Sequence, residues 1–226
     1  MAFRPLEQIL AMRKPGERLA LLIRHAERRH ILPTDADYGA LVPITELGRT
    51  QAMNVGNLLR EGTFVKNGLR TAHYFSSPVM RCRETASTIA GVRGDVAYDS
   101  PGKVEVLGEL GDFYVADYPE YERLLQRGFY EAIIEFLQRG NMRGFAPLAE
   151  TSEKFLNRIL SASDSDLNLY VTHDAWIVPF LSHFTDIRFR PDLWLNFLSG
   201  AAIFFGNGTP RVEGLAGLGD GYLRFT

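Results

Sequence analysis

Cysteine occurs once in the 226 residues, as Cys82. An internal disulfide is therefore excluded, and this usage fits a reducing compartment such as the cytoplasm. Long hydrophobic runs are missing too, since no stretch approaches the ~20 apolar residues of a membrane-spanning helix. The first residues, Met1 to Arg13, read as a short amphipathic helix. They lack the apolar core and small-residue cleavage site of a signal peptide. Charge of either sign is not in excess: 25 Lys and Arg face 27 Asp and Glu, a net charge of −2. That balance excludes the broad basic surface with which proteins hold nucleic acid or anionic membrane, so neither is an expected partner. There is no internal repeat, no low-complexity tract and no glycine-rich nucleotide phosphate loop. Histidines and carboxylates do not fall at metal-ligand spacing, so no metal and no other cofactor is expected.

Hydrophobic residues make up 46% of the chain, enough for a substantial core at this length. Lys14-Pro15-Gly16-Glu17 is a turn signal between the N-terminal helix and Leu19–Ile23, an uninterrupted apolar run suited to a strand buried on both faces. Thr45 is placed to cap a helix to about Arg60, with Leu47, Gln51/Ala52, Val55 and Leu58/Leu59 at helical spacing. Ala72–Phe75 reads as a second strand. Ser77 followed by Pro78 predicts a helix start there. Lys103–Leu107 is a further strand candidate. Helical spacing recurs between Pro119 and Arg139, with Gly128 as a break, and a helix is predicted from Thr151. Leu167–Val171 reads as another apolar strand, followed by a helix to about Phe184. Gly200–Phe205, Asn207-Gly208 and Arg211–Leu215 predict a terminal hairpin. Alternating strands and helices imply a three-layer α/β/α sandwich with a mostly parallel central sheet. The chain is expected to be one domain over residues 1–226, with a small helical cap inserted at approximately 109–150.

Three apolar strands end in polar motifs: Arg24-His25 with Arg28 close behind, Ser76-Ser77-Pro78 leading to Arg81, and Thr172-His173-Asp174. Open α/β sheets build ligand sites at the carboxyl ends of their strands, so these motifs can meet. A histidine among guanidinium groups fits phosphoryl chemistry. The planar fork of arginine matches phosphate oxygens, and imidazole can act as the nucleophile.

The ordered motifs resemble those of the histidine phosphatase superfamily. They are Arg24-His25-Ala26-Glu27-Arg28, then Ile44 to Ala52 (Ile-Thr-Glu-Leu-Gly-Arg-Thr-Gln-Ala), then Ser76 to Ala86, then Val171-Thr172-His173-Asp174. Two branches are recognisable. Arg28 and the His173-Asp174 pair resemble the acid-phosphatase branch, whose aspartate donates the leaving-group proton. Leu107-Gly108-Glu109 resembles the mutase-like branch, whose acid is a mid-chain glutamate. Ala26 stands where glycine is usual, and His30 where a proline is usual.

The resemblance implies a phosphoglycerate mutase-like fold and hydrolysis of a small-molecule phosphomonoester through a phosphohistidine. His25 is the expected nucleophile. Arg24, Arg28, Arg81 and His173 are expected around the phosphoryl oxygens. Asp174 is the first choice for acid and base, and Glu109 the second. The rival readings are a phosphoglycerate-mutase-type phosphotransferase and a catalytically silent phosphate-binding or interaction module. Glu27 and Arg29 are expected at the rim. His30, His73 and His183 are expected to be structural or exposed, and Cys82 a packed small hydrophobe. The aromatic stretch from Phe113 to Tyr130 is expected partly in the core and partly as a wall over the site.

Overall fold

A computed structural model describes residues 2–32, 34–64, 69, 71–93, 104–206 and 208–225. The apolar run at Leu19–Ile23 becomes β1 (Arg18–Arg24), inside a six-stranded sheet. The other strands of this sheet are β2 (Ala72–Ser76), β3 (Val104–Val106), β4 (Leu167–Thr172), β6 (Gly200–Phe205) and β7 (Arg211–Leu215). A separate two-stranded sheet pairs β5 (Leu193–Leu195) with β8 (Tyr222–Arg224). The main order is β3-β2-β4-β1-β6-β7. The strands β3, β2, β4 and β1 run parallel, whereas β6 is antiparallel to both β1 and β7. The fold class is therefore the expected mixed α/β sheet, mostly parallel at its centre.

Alternation along the strands divides the core into two faces. Ala20, Leu22, Phe75, Tyr170, Ala201 and Ile203 point to one face. It is covered by residues of α5 (Phe129–Arg139), α6 (Leu148–Ser161) and α7 (Asp174–Phe184). Leu19, Leu21, Ile23, Tyr74, Leu169, Val171 and Phe204 point to the other, against α1 (Leu6–Ala11), α2 (Glu46–Phe64) and α3 (Met80–Arg93). Both faces of β1 and β4 are thus dry, which is why their sequences are predominantly apolar rather than alternating, with Asn168 the buried polar exception in the β4 run.

The register sets the position of the site. Val171 on β4 pairs with Ile23 on β1 and with Ser76 on β2, and Thr172 pairs with Arg24. The three polar motifs therefore begin in one row at the carboxyl edge, on adjacent strands about 4.8 Å apart.

Helix boundaries differ from the sequence expectation at three starts. The N-terminal helix, expected from Met1, begins at Leu6, because Arg4 bridges to β7 with its N–H on the Gly214 carbonyl at 2.9 Å. The helix expected from Pro78 begins at Met80, because the Ser77 hydroxyl faces His173 and the Met80 N–H is taken by the Ala40 carbonyl at 3.0 Å. The helix expected from Thr151 begins at Leu148, where Pro147 at the N-cap starts the helical turn and its carbonyl accepts from Thr151 at 2.9 Å. Gly128 does separate α4 (Tyr118–Leu125) from α5, with φ of +128°, a conformation that side chains disfavour. The hairpin strands pair as expected, while Asn207 and Lys103 lie outside the described residues. Among the described residues, no helix is long and apolar enough to cross a membrane.

Candidate active site

The chain leaves β1 at Arg24 and turns into a loop that two helices hold in place. From α3, the Thr85 hydroxyl accepts the Ala26 N–H at 3.0 Å and donates to the Arg81 carbonyl at 2.7 Å. Arg81 and Thr85, one helical turn apart, so fix the motif loop to α3. From the start of α2, Thr45 donates its N–H to the Glu27 carbonyl at 3.0 Å and its hydroxyl to the Glu27 carboxylate. Gln51 accepts the Glu27 N–H at 3.2 Å. Gly48 is needed for this approach, because a Cβ there would lie 2.2 Å from the Glu27 carbonyl oxygen. Thr45 also caps α2 by accepting the Gly48 N–H at 3.0 Å. The methyl group of Ala26 is fully buried in the apolar cluster shared by α2 and α3, among residues that include Ile44 and Val55.

His25 is 1% exposed. Its Nδ1 lies 2.8 Å from the Ala26 carbonyl oxygen, which can only accept, so the proton sits on Nδ1. The lone pair is then on Nε2, and Arg81 Nε donates to it at 3.1 Å. Burial, followed by the charges of Arg24 and Arg81, holds His25 well below the ordinary imidazole value despite the Ala26 bond. The ring is a neutral imidazole with its nucleophilic nitrogen facing a guanidinium.

Arg81 also donates through Nη1 to the Gly39 carbonyl at 2.8 Å, which ties the 30–43 loop to the site, and its Nη2 lies 3.4 Å from His173 Nδ1. Because Arg81 can only donate, His173 Nδ1 accepts and Nε2 carries the proton, directed at the Ser77 hydroxyl 3.1 Å away. Burial and then Arg81 lower the His173 pKa to about 3, although Asp174 opposes this. The rings of His25 and His173 are 5.6 Å apart.

Arg24 is 4% exposed, lies with its guanidinium 4.2 Å above the Phe197 ring, and bonds the Leu195 carbonyl through Nη1 at 2.6 Å. Its Nη2 is 3.1 Å from Asp174 Oδ2, and its Nε is buried with no protein partner. Arg28 Nε is likewise buried and unpartnered. Burial, then the charges of Arg81 and Arg24, lower the Arg28 pKa. Arginine nonetheless stays charged.

The side chain of Asp174, 13% exposed, follows His173 at the start of α7. Its Oδ2 accepts the Trp194 indole N–H at 2.9 Å. Burial raises its pKa, but Arg24, the Trp194 hydrogen bond and the charge of Arg28 outweigh burial and hold it below the ordinary carboxylate value. The balance of the cluster is simple. Three guanidinium groups (Arg24, Arg28 and Arg81) face one carboxylate, Asp174, with both histidines neutral, leaving two positive charges.

The structure thus brings His25, Arg24, Arg28, Arg81, His173 and Asp174 together and sets Glu109 apart. The Glu109 carboxylate, 45% exposed, pairs with Arg158 of α6 at 3.0 Å. Cys82 is buried, and burial pushes its thiol up to about 12, so it is no thiolate nucleophile. His73 stacks on Phe75 and reaches Glu105, and His183 faces Glu153. No group of three or more His, Cys, Asp or Glu suited to a metal occurs among the described residues.

Sequence reasoning did not find Trp194, Leu195 or Phe197. The short apolar triplet of β5 ahead of Asn196 gives no sign that its side chain, its carbonyl and the following ring all meet the Arg24–Asp174 pair.

A family model described as the histidine phosphatase superfamily (branch 1) matches residues 20–203. Among solved structures, the chain is similar to phosphoglycerate mutase from Bacillus anthracis, with 18% identity and a TM-score of 0.55, over 88% of this chain and 93% of that one. Phosphoserine phosphatase from Entamoeba histolytica, solved with phosphoserine, gives 18% and 0.53 over 88% and 98%. Alpha-ribazole phosphatase from Shigella flexneri gives 18% and 0.52 over 87% and 95%. No curated protein matches the sequence. These structures share the fold, and the family match covers most of the chain: it belongs to the histidine phosphatase superfamily.

Proposed function

We propose that this member of the histidine phosphatase superfamily is a phosphomonoester hydrolase that works through a phosphohistidine at His25. The observation that carries the reading is the charge arrangement around His25. A neutral imidazole of fixed tautomer sits in a buried cluster with two uncompensated positive charges, the match for a phosphomonoester dianion. Guanidinium groups supply the charge stabilisation that phosphoryl transfer needs.

In the first step the Nε2 lone pair of His25 attacks phosphorus, and the bond from phosphorus to the ester oxygen breaks. The departing oxygen takes the proton of the Asp174 carboxyl and leaves as the alcohol. The phosphorylated imidazole keeps its Nδ1 proton on the Ala26 carbonyl. In the second step the Asp174 carboxylate takes a proton from water, whose oxygen attacks phosphorus. The bond from nitrogen to phosphorus breaks, releasing inorganic phosphate and restoring neutral His25. In the resting site, Arg24 and Arg28 favour the ionised form of Asp174. A bound phosphoryl dianion offsets those charges and returns the carboxyl toward its protonated form. Arg28, Arg24 and Arg81 hold the phosphoryl oxygens, and His173 stands beside them through Arg81 and Ser77. Position favours Asp174 over Glu109 as the acid, since only Asp174 lies within the cluster.

The segment with α4 and α5 is proposed as a cap over this edge of the sheet. Tyr130 of α5 supports that role, being half-buried, packed edge-to-face against Trp194 and within reach of the charges of Asp174, Arg24 and Arg28. A small-molecule ester as substrate and a cytoplasmic setting belong to the same proposal, the latter resting on the single thiol.

Incubation with a generic aryl phosphate tests the reading. Release of inorganic phosphate by the wild-type chain, lost in His25→Ala, is the expected outcome. Phosphoryl transfer to an acceptor without release would favour a mutase instead, and neither release nor transfer would favour a silent binding module.

A further inference from the structure

The acid proposed above needs one oxygen free to face the ester and one held. The two Asp174 oxygens are divided in that way. Oδ2 takes both protein contacts, the Arg24 guanidinium at 3.1 Å and the Trp194 indole N–H at 2.9 Å. Among the described residues, no hydrogen bond reaches Oδ1.

Trp194 is fully buried, with ring centroids 4.8 Å from Tyr130, 6.0 Å from Phe129 and 6.1 Å from Phe189. Its backbone is fixed by pairing of β5 with β8, where Trp194 faces Leu223. The next residue, Leu195, gives its carbonyl to Arg24 Nη1 at 2.6 Å. Two consecutive residues of β5 therefore grip both members of the Arg24–Asp174 pair, one by its side chain and the other by its backbone.

We propose that Trp194 is a positioning residue, which holds Asp174 by Oδ2 and so assigns Oδ1 as the atom that passes the proton to and from the substrate. The assignment rests on the hydrolase reading and deepens it. An indole suits the role because its N–H donates and never accepts. A carbonyl oxygen accepts the Trp194 and Arg24 N–H groups better than a hydroxyl oxygen does, so these two donors on Oδ2 favour the carboxyl proton on Oδ1. Around Asp174 stand Arg24 of β1, Arg28 of the following loop, His173 at the start of α7, Tyr130 of α5, and Arg81 and Cys82 of α3. To that set Trp194 adds an uncharged donor that bonds the carboxylate directly. It orients the carboxylate without adding another positive charge against the acid's proton.

The test removes the indole N–H alone, by replacing Trp194 with the isosteric benzothienylalanine, and by W194F as a second variant. Turnover of alkyl and aryl phosphates is followed against pH, the Asp174 carboxyl is titrated by carbon-13 NMR, and vanadate affinity is measured. Loss of the donor should reduce alkyl phosphate turnover about tenfold or more, with a smaller effect on aryl esters. The Asp174 titration should move upward, and vanadate affinity should stay within about twofold. A folded isostere with unchanged alkyl turnover and unchanged Asp174 titration overturns the positioning role alone. So does an equal loss on both ester classes. If the wild-type chain itself releases no phosphate from any ester, the hydrolase reading fails and the positioning role fails with it.

Discussion

Arg81 Nε donates a hydrogen bond to Nε2 of His25 at 3.1 Å. The guanidinium that would hold a phosphoryl oxygen therefore caps the lone pair of the nucleophile in the resting site. Attack requires an exchange in which the Arg81 N–H passes from nitrogen to a phosphoryl oxygen as the substrate enters. Vanadate, which mimics five-coordinate phosphorus, should bind and inhibit, and nitrogen-15 NMR should register a shift of His25 Nε2 as the Arg81 bond is released. Insensitivity to millimolar vanadate would count against the site.

Replacing Arg81 should hurt in proportion to the fork it offers. R81A removes charge-assisted bonds to His25 and the Gly39 carbonyl, and kcat/KM should fall by roughly 10- to 100-fold or more. R81K keeps a charge but cannot make the forked contacts. It should recover little of that loss, as steady-state kinetics on one aryl phosphate would reveal.

The choice of acid is tested by leaving-group chemistry. D174N should slow alkyl phosphates about 10²-fold or more, and aryl phosphates far less, because a good leaving group needs less protonation. E109Q should leave both within about twofold, since Glu109 is occupied with Arg158 outside the cluster. The reverse pattern would exchange the two assignments. For the same reason, kcat/KM on alkyl esters should fall as pH rises, because the Arg24 and Arg28 charges favour the ionised carboxylate in the free enzyme.

Stability should move the other way. His25 and His173 are neutral when folded, with depressed pKa values, while the unfolded chain protonates them near pH 6.5. The unfolded state thus binds more protons below that value, and stability falls as pH drops. For His173 the loss extends down to its folded value of about 3. Each buried histidine contributes up to about 1.4 kcal/mol per pH unit. Urea midpoints measured from pH 7 to 5 should therefore decline, and a double substitution of both histidines by glutamine should flatten the decline if the variant folds.

The sheet and the cluster were legible because their signals are local. Leu19–Ile23 is apolar without interruption and Leu167–Val171 is apolar but for Asn168, because both faces of β1 and β4 are buried, and each polar motif begins where such a run stops. The register of Val171 with Ile23 and Ser76, which makes the motifs meet, is a long-range fact that those runs only imply. The β5–β8 pair escaped notice because its strands have three residues each and lie far apart in sequence, too short for a periodicity to emerge. Glu109 carried a sequence context that suits an acid, but its surroundings include Arg158, a partner 49 residues away that nothing local announces. Backbone carbonyls at Ala26, Gly39 and Leu195 do as much as any side chain to orient His25, Arg81 and Arg24. Every residue has a carbonyl, so no composition or motif marks those three.

The central claim is that His25 Nε2 carries the phosphoryl group, and trapping that group tests it most directly. The wild-type chain, mixed with a phosphomonoester for less than one turnover and quenched in base, should yield a peptide holding one phosphoryl group on His25, with inorganic phosphate following as the peptide signal decays. His25→Ala should give neither. Phosphate release with no phosphoryl group on His25 at any time, or release sustained in His25→Ala, would contradict the account.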